Sequence, residues 1–224
     1  MHSPAPLLFD NRAGDRALSA KDVARVQVNG VRSMSVDVTR GRGRIELICG
    51  CMFSGKSERL VERVAQARAR AIPVAVFKHA SDDRYSKRPI VTHSGRQVEA
   101  VALASASEIP GLAGDAKLVV IDEAQFFDQG LIHTCRHLAD QGREVIVAGL
   151  DRDSWGGPFG PIPELEAIAD RVTRTYAVCS QCGQAAQYTQ RLTPIAGRGM
   201  IGGAESYEPR CAKCFRPPPI ELRR

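Results

Sequence analysis

Eight consecutive residues constrain this chain more than any other feature: Gly50-Cys51-Met52-Phe53-Ser54-Gly55-Lys56-Ser57 fits the pattern G-x-x-x-x-G-K-[ST]. Such a loop works only after a buried strand and at the start of a helix. Its glycines let the backbone approach an anion, and its amides, with the positive end of the helix, hold that anion. The flanks fit: Ile45-Glu46-Leu47-Ile48-Cys49 is a short apolar run, and Ser57 to Arg70 has helical spacing. The pattern assigns Lys56 to the β/γ-phosphates of a nucleotide and Ser57 to Mg²⁺. It predicts a nucleotide site and says nothing of what else binds.

The remaining pattern predicts α/β architecture. Val74-Ala75-Val76-Phe77, Val98 to Leu103, Lys117 to Ile121 and Glu144 to Gly149 read as strands. Residues 128–141 and Glu164 to Val172 read as helices, and the polar stretch 79–97 as a surface loop. Short apolar runs alternating with helices predict a parallel sheet covered on both faces. After about Thr173 the pattern changes to short strands between cysteine pairs. The expected organisation is a flexible extension over 1–43, a P-loop domain over 44–172, a small module over 173–218 and a tail over 219–224.

A chain of 224 residues with 43% hydrophobic content can bury one core and a small satellite. The net charge of +6 is uneven, because residues 1–44 hold eight Lys/Arg against four acidic residues. The basic balance therefore says little about a nucleic-acid surface on the folded body. No apolar run approaches the ~18 residues of a membrane span. Leu7-Leu8-Phe9 is followed at once by Asp10 and Arg12, so no secretory segment is expected. The expectation is a soluble cytoplasmic protein.

The strand Val119-Val120-Ile121 runs into Asp122-Glu123-Ala124-Gln125-Phe126-Phe127. An Asp at such a strand end holds the Mg²⁺ shell in P-loop enzymes, and a neighbouring Glu can accept a proton from an attacking oxygen. That base could serve water, giving an ATPase, or a substrate hydroxyl, giving a kinase. A helicase motor would need two such domains, for which the chain has no room. Asp128 reads as the cap of the helix that follows.

Four of the seven cysteines form two knuckles, Cys179-Ser-Gln-Cys182 and Cys211-Ala-Lys-Cys214, with 28 residues between them. Two such pairs can supply four thiolates to a closed, structural Zn²⁺ site. The glycine-bearing chain between them would form a tethered loop over a substrate. Cys49, Cys51 and Cys135 read as buried thiols. An alternative is a zinc-containing P-loop ATPase that binds nucleic acid. Against it, residues 183–210 hold only Tyr188 and Tyr207 as stacking aromatics.

The loop G-C-M-F-S-G-K-S, the box D-E-A-Q-F-F, the segment G-L-D-R-D-S-W-G-G-P-F-G and the tail from A-V-C-S-Q-C to C-A-K-C-F resemble the zinc-containing, cellular-type (type II) thymidine kinases, over about residues 44–218. The resemblance implies a RecA-like domain with a zinc-anchored lasso. It implies ATP and thymidine as substrates, Mg²⁺, a homotetramer and inhibition by thymidine triphosphate (dTTP), with no nucleic acid or membrane partner. It makes Glu123 the catalytic base. It assigns Gly50, Met52, Phe53, Ser54, Gly55, Lys56, Ser57, Asp122, Glu123, Ala124, Gln125 and Arg84 to the nucleotide and its metal, with Asp82 near the phosphates. Met52, Phe126, Leu150, Phe159 and Tyr207 would line the thymidine pocket, and Thr189, Ile201, Gly202 and Gly203 would reach it from the lasso. His93 also matches a family position. Three departures stand out. Cys51 replaces the usual Pro, where its side chain faces no required chemistry and phosphate binding is expected to survive. Ser154-Trp155 replaces the Phe-Arg usual in bacterial members, so the pocket is expected to change shape there, and the 43-residue extension matches nothing in the family core.

Overall fold

The computed structural model describes residues 41–81, 90–91, 95–193 and 204–219. The calls on the extension up to residue 40, on Arg84, Asp82, His93, Ile201, Gly202 and Gly203, and on residues 220–224 fall outside them. The apolar run before the phosphate loop is strand β1 (Ile45–Gly50), and helix α1 (Lys56–Ala69) follows the loop. Next come β2 (Val74–His79), the two-residue strands β3 (Ile90–Val91) and β4 (Gln97–Val98), and β5 (Val101–Leu103). A single helical turn (Ala106–Glu108) leads into the short helix α2 (Ile109–Leu112). Strand β6 (Leu118–Asp122), helix α3 (Gly130–Asp140), β7 (Glu144–Gly149), α4 (Ile162–Ile168) and β8 (Arg171–Thr175) complete the α/β part.

Six strands form one parallel sheet in the order β5-β2-β6-β7-β1-β8. Parallel strands are buried on both faces, so alternate residues feed two cores. Val119, Ile121, Val145 and Val147 meet Leu131, Cys135 and Leu138 of α3 and Leu165 of α4. Leu118, Val120, Ile146 and Ile48 meet Leu60, Val61 and Val64 of α1 on the opposite face. The expected architecture, a parallel sheet with helices on both sides, is what the chain forms.

Three local expectations are corrected. Residues 164–172 are not one helix: α4 ends at Ile168, and Arg171–Thr175 extends the sheet as its edge strand beside β1. The residues from Val98 to Leu103 are not one strand. Val98 pairs with Ile90 in a small antiparallel ladder, while Val101–Leu103 joins β2. That ladder also puts Ile90–Val91, expected in a surface loop, into a strand, and Ile90 and Val98 pack on the α1 face. Beyond β8, strands β9 (Ala177–Val178) and β10 (Ala185–Ala186) pair antiparallel, as do β11 (Tyr188–Arg191) and β12 (Tyr207–Arg210). Among the described residues, no helix is long and apolar enough to cross a membrane.

Candidate active site

Residues 50–57 turn sharply between β1 and α1. Gly50 and Gly55 have φ of 149° and 81°, and Phe53, which is not glycine, also has a positive φ of 65°. A Cβ on Gly50 would lie 2.2 Å from the Thr175 carbonyl oxygen, so only glycine fits there. No side chain caps α1 at its N-terminus. Its first-turn amides are thus not taken up by a side-chain cap, which suits an anion site. Lys56 Nζ donates to the Cys51 carbonyl at 2.7 Å. Burial lowers the Lys56 ammonium below the ordinary lysine value, against the pull of the Glu123, Asp122 and Asp151 carboxylates.

The carboxyl end of β6 lies two strands from the phosphate loop. Asp122 is buried, and its Oδ1 accepts the Glu123 N–H at 2.9 Å. Glu123 itself sits at φ 54°, ψ 38°, a left-handed conformation that non-glycine residues seldom keep outside functional sites. The turn Ala124–Phe126 then reverses the chain. Gln125 Nε2 donates to Glu123 Oε2 at 2.5 Å, while Gln125 Oε1 accepts the Leu150 N–H at 3.0 Å. Gln125 thus braces the Glu123 carboxylate against the end of β7. Asp128 Oδ1 accepts the N–H of Gly130 at 2.7 Å, matching its expected capping role.

A separate apolar cluster gathers five of the residues assigned to the thymidine pocket. Leu150 and Tyr207 are buried, with Met52, Phe53, Phe126 and Phe159 packed against them. Phe126 and Phe159 meet edge to face at 5.6 Å. Thr189, buried in β11, accepts the Met52 N–H on its Oγ1 at 3.0 Å, bringing the C-terminal module onto the phosphate loop. Ser154 is fully buried and its hydroxyl has no hydrogen-bond partner among the described residues.

Sequence reasoning missed four neighbours of the site. Lys78 is buried and is the cross-strand partner of Asp122, and strand alternation puts both on the α1 face. Lys78 looked like one polar residue ending an apolar run, and only the register reveals its place. Asp151, just past β7, pairs through Oδ2 with Arg174 Nη1 at 3.4 Å. Arg174 also pairs with Glu166, the foremost cause that raises its pKa. Thr175, at the end of the missed strand β8, donates to the Cys49 carbonyl at 3.1 Å and sits 2.7 Å from Ser54 Oγ. His79 packs edge-on against Phe127 at 4.7 Å, and burial pushes its pKa down.

The four knuckle cysteines converge: the Sγ atoms of Cys179, Cys182, Cys211 and Cys214 all lie within 4.8 Å of one another. Zn–S bonds of about 2.3 Å in a tetrahedron put sulfurs about 3.8 Å apart, so this donor set fits a zinc ion. The knuckles turn as metal-binding knuckles do, with Gly183 N–H donating to the Cys179 carbonyl at 2.9 Å and Cys214 N–H to that of Cys211 at 3.1 Å. Cys49, Cys51 and Cys135 are buried as expected, and burial raises Cys49 to about 11 and Cys135 to about 12.

The family model described as thymidine kinase matches residues 43–215, which takes in every element above. The chain belongs to the thymidine kinase family. Among relatives of this family, it is 47% identical over 176 residues to the thymidine kinase of Rhodothermus sp. (strain ITI 518), covering 79% of this chain and 83% of that protein. It is 44% identical over 180 residues to the thymidine kinase of Bacteroides thetaiotaomicron, covering 80% and 90%. It is also 44% identical over 181 residues to that of Bacteroides fragilis (strain YCH46), covering 81% and 91%. In this thymidine kinase family member, the phosphate loop, the Asp122-Glu123 turn, the apolar cluster and the cysteine site all lie inside the matched span.

Proposed function

We propose that the protein transfers the γ-phosphate of ATP to the 5′-hydroxyl of thymidine, and of deoxyuridine, with Glu123 as general base. The observation that supports this reading is Glu123 itself, set in a left-handed turn at the carboxyl end of β6, its carboxylate held by Gln125 and its charge acting on Lys56 of the phosphate loop. A carboxylate so held beside the phosphate-loop lysine is suited to take a proton from an attacking hydroxyl.

Residues 50–57 bind the triphosphate, and Lys56 neutralises the charge that develops on the transferred group. Ser57 and Asp122 offer hydroxyl and carboxylate oxygens, a hard donor set suited to Mg²⁺. When bound, Mg²⁺ would supply charge stabilisation to the phosphoryl group in transfer. Glu123 takes the 5′-hydroxyl proton as that oxygen attacks phosphorus in line, and Gln125 fixes the carboxylate toward it. Catalysis is then positional and electrostatic. Met52, Phe126, Leu150, Phe159 and Tyr207 hold the base and sugar. Arg84, Ile201, Gly202 and Gly203 are assigned to the phosphates and the base on the family pattern alone.

The same reading carries a P-loop domain over 44–172 with a zinc-anchored lasso over 173–218, a cytoplasmic homotetramer, and feedback inhibition by dTTP. Its test is phosphorylation of single nucleosides from labelled ATP and Mg²⁺, with and without single-stranded DNA. Thymidine and deoxyuridine should be phosphorylated, and deoxycytidine hardly at all, because its inverted donor/acceptor edge mismatches backbone groups. Phosphate release driven by DNA, without nucleoside product, would overturn the reading. Light scattering and dTTP titration of the same preparation test the tetramer and the inhibition.

A further inference from the structure

We infer that Cys51 is a positioning residue that ties the zinc module to the phosphate loop, so that the metal sets nucleotide affinity through it. The inference rests on the nucleotide reading above. Residue 51 faces two ways. Its carbonyl accepts from both Lys56 Nζ and Ser54 Oγ, each at 2.7 Å. Its side chain is buried in one cluster with Cys179, Cys211 and Ala186, with Ala177 and Cys214 packed alongside. The thiol donates to the Ala186 carbonyl at 3.3 Å. The phosphate-loop lysine is thus held by a peptide whose side chain is embedded among the zinc ligands.

A second tether sits one residue on, where the Met52 N–H donates to Thr189 Oγ1. Ala186 and Thr189 belong to β10 and β11, which lie between the knuckles in sequence and pair with β9 and β12 in ladders of two and four residue pairs. Ladders that short are not stable alone. Here they are closed by the cysteine cluster: Ser180 N–H donates to the Pro209 carbonyl at 3.0 Å, and Cys179 N–H to that of Gln184 at 2.8 Å. Metal binding to such a module is itself folding energy. Without zinc, Cys51 and the Met52 amide lose the surface that holds them, and the Lys56 contact to residue 51 loosens with them.

The test is calorimetric binding of Mg·ADP, which needs no turnover, to the full chain in zinc-loaded and chelator-stripped forms and to variants. Stripped protein that keeps its sheet by circular dichroism should bind Mg·ADP at least about tenfold more weakly. Zinc-loaded Cys51→Ala should bind it about fivefold more weakly and raise the KM for ATP with kcat within about threefold. Cys51→Ser, which keeps the donor to Ala186, should recover most of that loss. Unchanged Mg·ADP affinity in the stripped protein, or in zinc-loaded Cys51→Ala, overturns the inference. Where stripping unfolds the chain, zinc-loaded Cys51→Ala/Thr189→Val carries the same test. Wild-type protein that does not bind Mg·ADP would overturn the nucleotide reading instead.

Discussion

Glu123 is held from three sides. Its N–H is taken by Asp122, its carboxylate by Gln125, and its backbone by a left-handed dihedral. A carboxamide at position 123 can still accept from Gln125 but cannot take a proton. Glu123→Gln should therefore fold, bind ATP within a few-fold of wild type, and lose roughly two to four decades in kcat. Near-normal turnover would remove Glu123 from the role of base. The bracing of Gln125 has its own test at Gly160, which has φ of 51° and where a Cβ would lie 2.1 Å from the Gln125 carbonyl oxygen. Gly160→Ala has no flexible neighbour to yield. It should cost about 2 kcal/mol or more in chemical denaturation, through clash and backbone strain together. It should also lower kcat, because the brace on Glu123 moves with residue 125. Wild-type values on both measures would show that the turn tolerates displacement. Glu123 and Gln125 were legible because the Asp-Glu-Ala-Gln motif assigns them, whereas Gly160 was not singled out. The strained dihedral and the Gln125 brace were not, because a carboxamide beside a carboxylate carries no sequence pattern that says which groups it links.

At the level of elements, strong apolar runs were legible and edges were not. Strands β1, β2, β6 and β7 were expected within a residue or two, because a strand buried on both faces must be apolar throughout. The first two residues of strand β8 were read as the end of a helix because the strand is Arg-Val-Thr-Arg-Thr, an edge strand with polar residues along it. Missing it hid Thr175, which supports the phosphate loop from that edge. Similarly, β3 and β4 are too short for any period to register. The end of β2 yields a pH prediction. His79 Nδ1 accepts the Ser81 N–H at 3.0 Å, and burial lowers its pKa from 6.5, with Asp128 pulling the other way. Between the lowered folded value and 6.5, the unfolded chain holds a proton that the folded chain does not. Stability from this group is therefore flat above 6.5 and falls as pH drops from there toward the folded value. His79→Asn should flatten the fall in Tm between about pH 7 and 5, read by differential scanning calorimetry. An equally steep fall in the variant would assign that acid sensitivity to other groups.

At the scale of the whole molecule, the charge of +6 and the matched span point to the same division of the chain. The family match begins at residue 43, and the described contacts anchor the chain on either side of that point. Arg42 reaches Asp140 at 3.2 Å and Asp170 at 3.4 Å. The Gly43 N–H donates to the Ala139 carbonyl at 2.7 Å, and a Cβ there would fall 1.8 Å from the Arg143 carbonyl oxygen. The Arg44 carbonyl accepts from Val145, and the Ile45 N–H donates to Asp170. Residues 42–45 thus join β1 to the ends of α3, β7 and α4. Exposed ion pairs such as those of Arg42 are worth under about 1 kcal/mol each, so the backbone bonds matter more. A chain starting at Gly41 keeps all of these contacts. It should retain kcat and the KM for thymidine within about twofold, and the Tm within a few degrees. A chain starting at Ile45 loses the Gly43 and Arg44 bonds and should melt several degrees lower, since one lost backbone hydrogen bond is worth about 1 kcal/mol. Comparing the two truncations separates anchoring from activity. A tenfold loss of kcat/KM already at Gly41, with Tm unchanged, would assign the first 40 residues a part in catalysis that the family span does not contain.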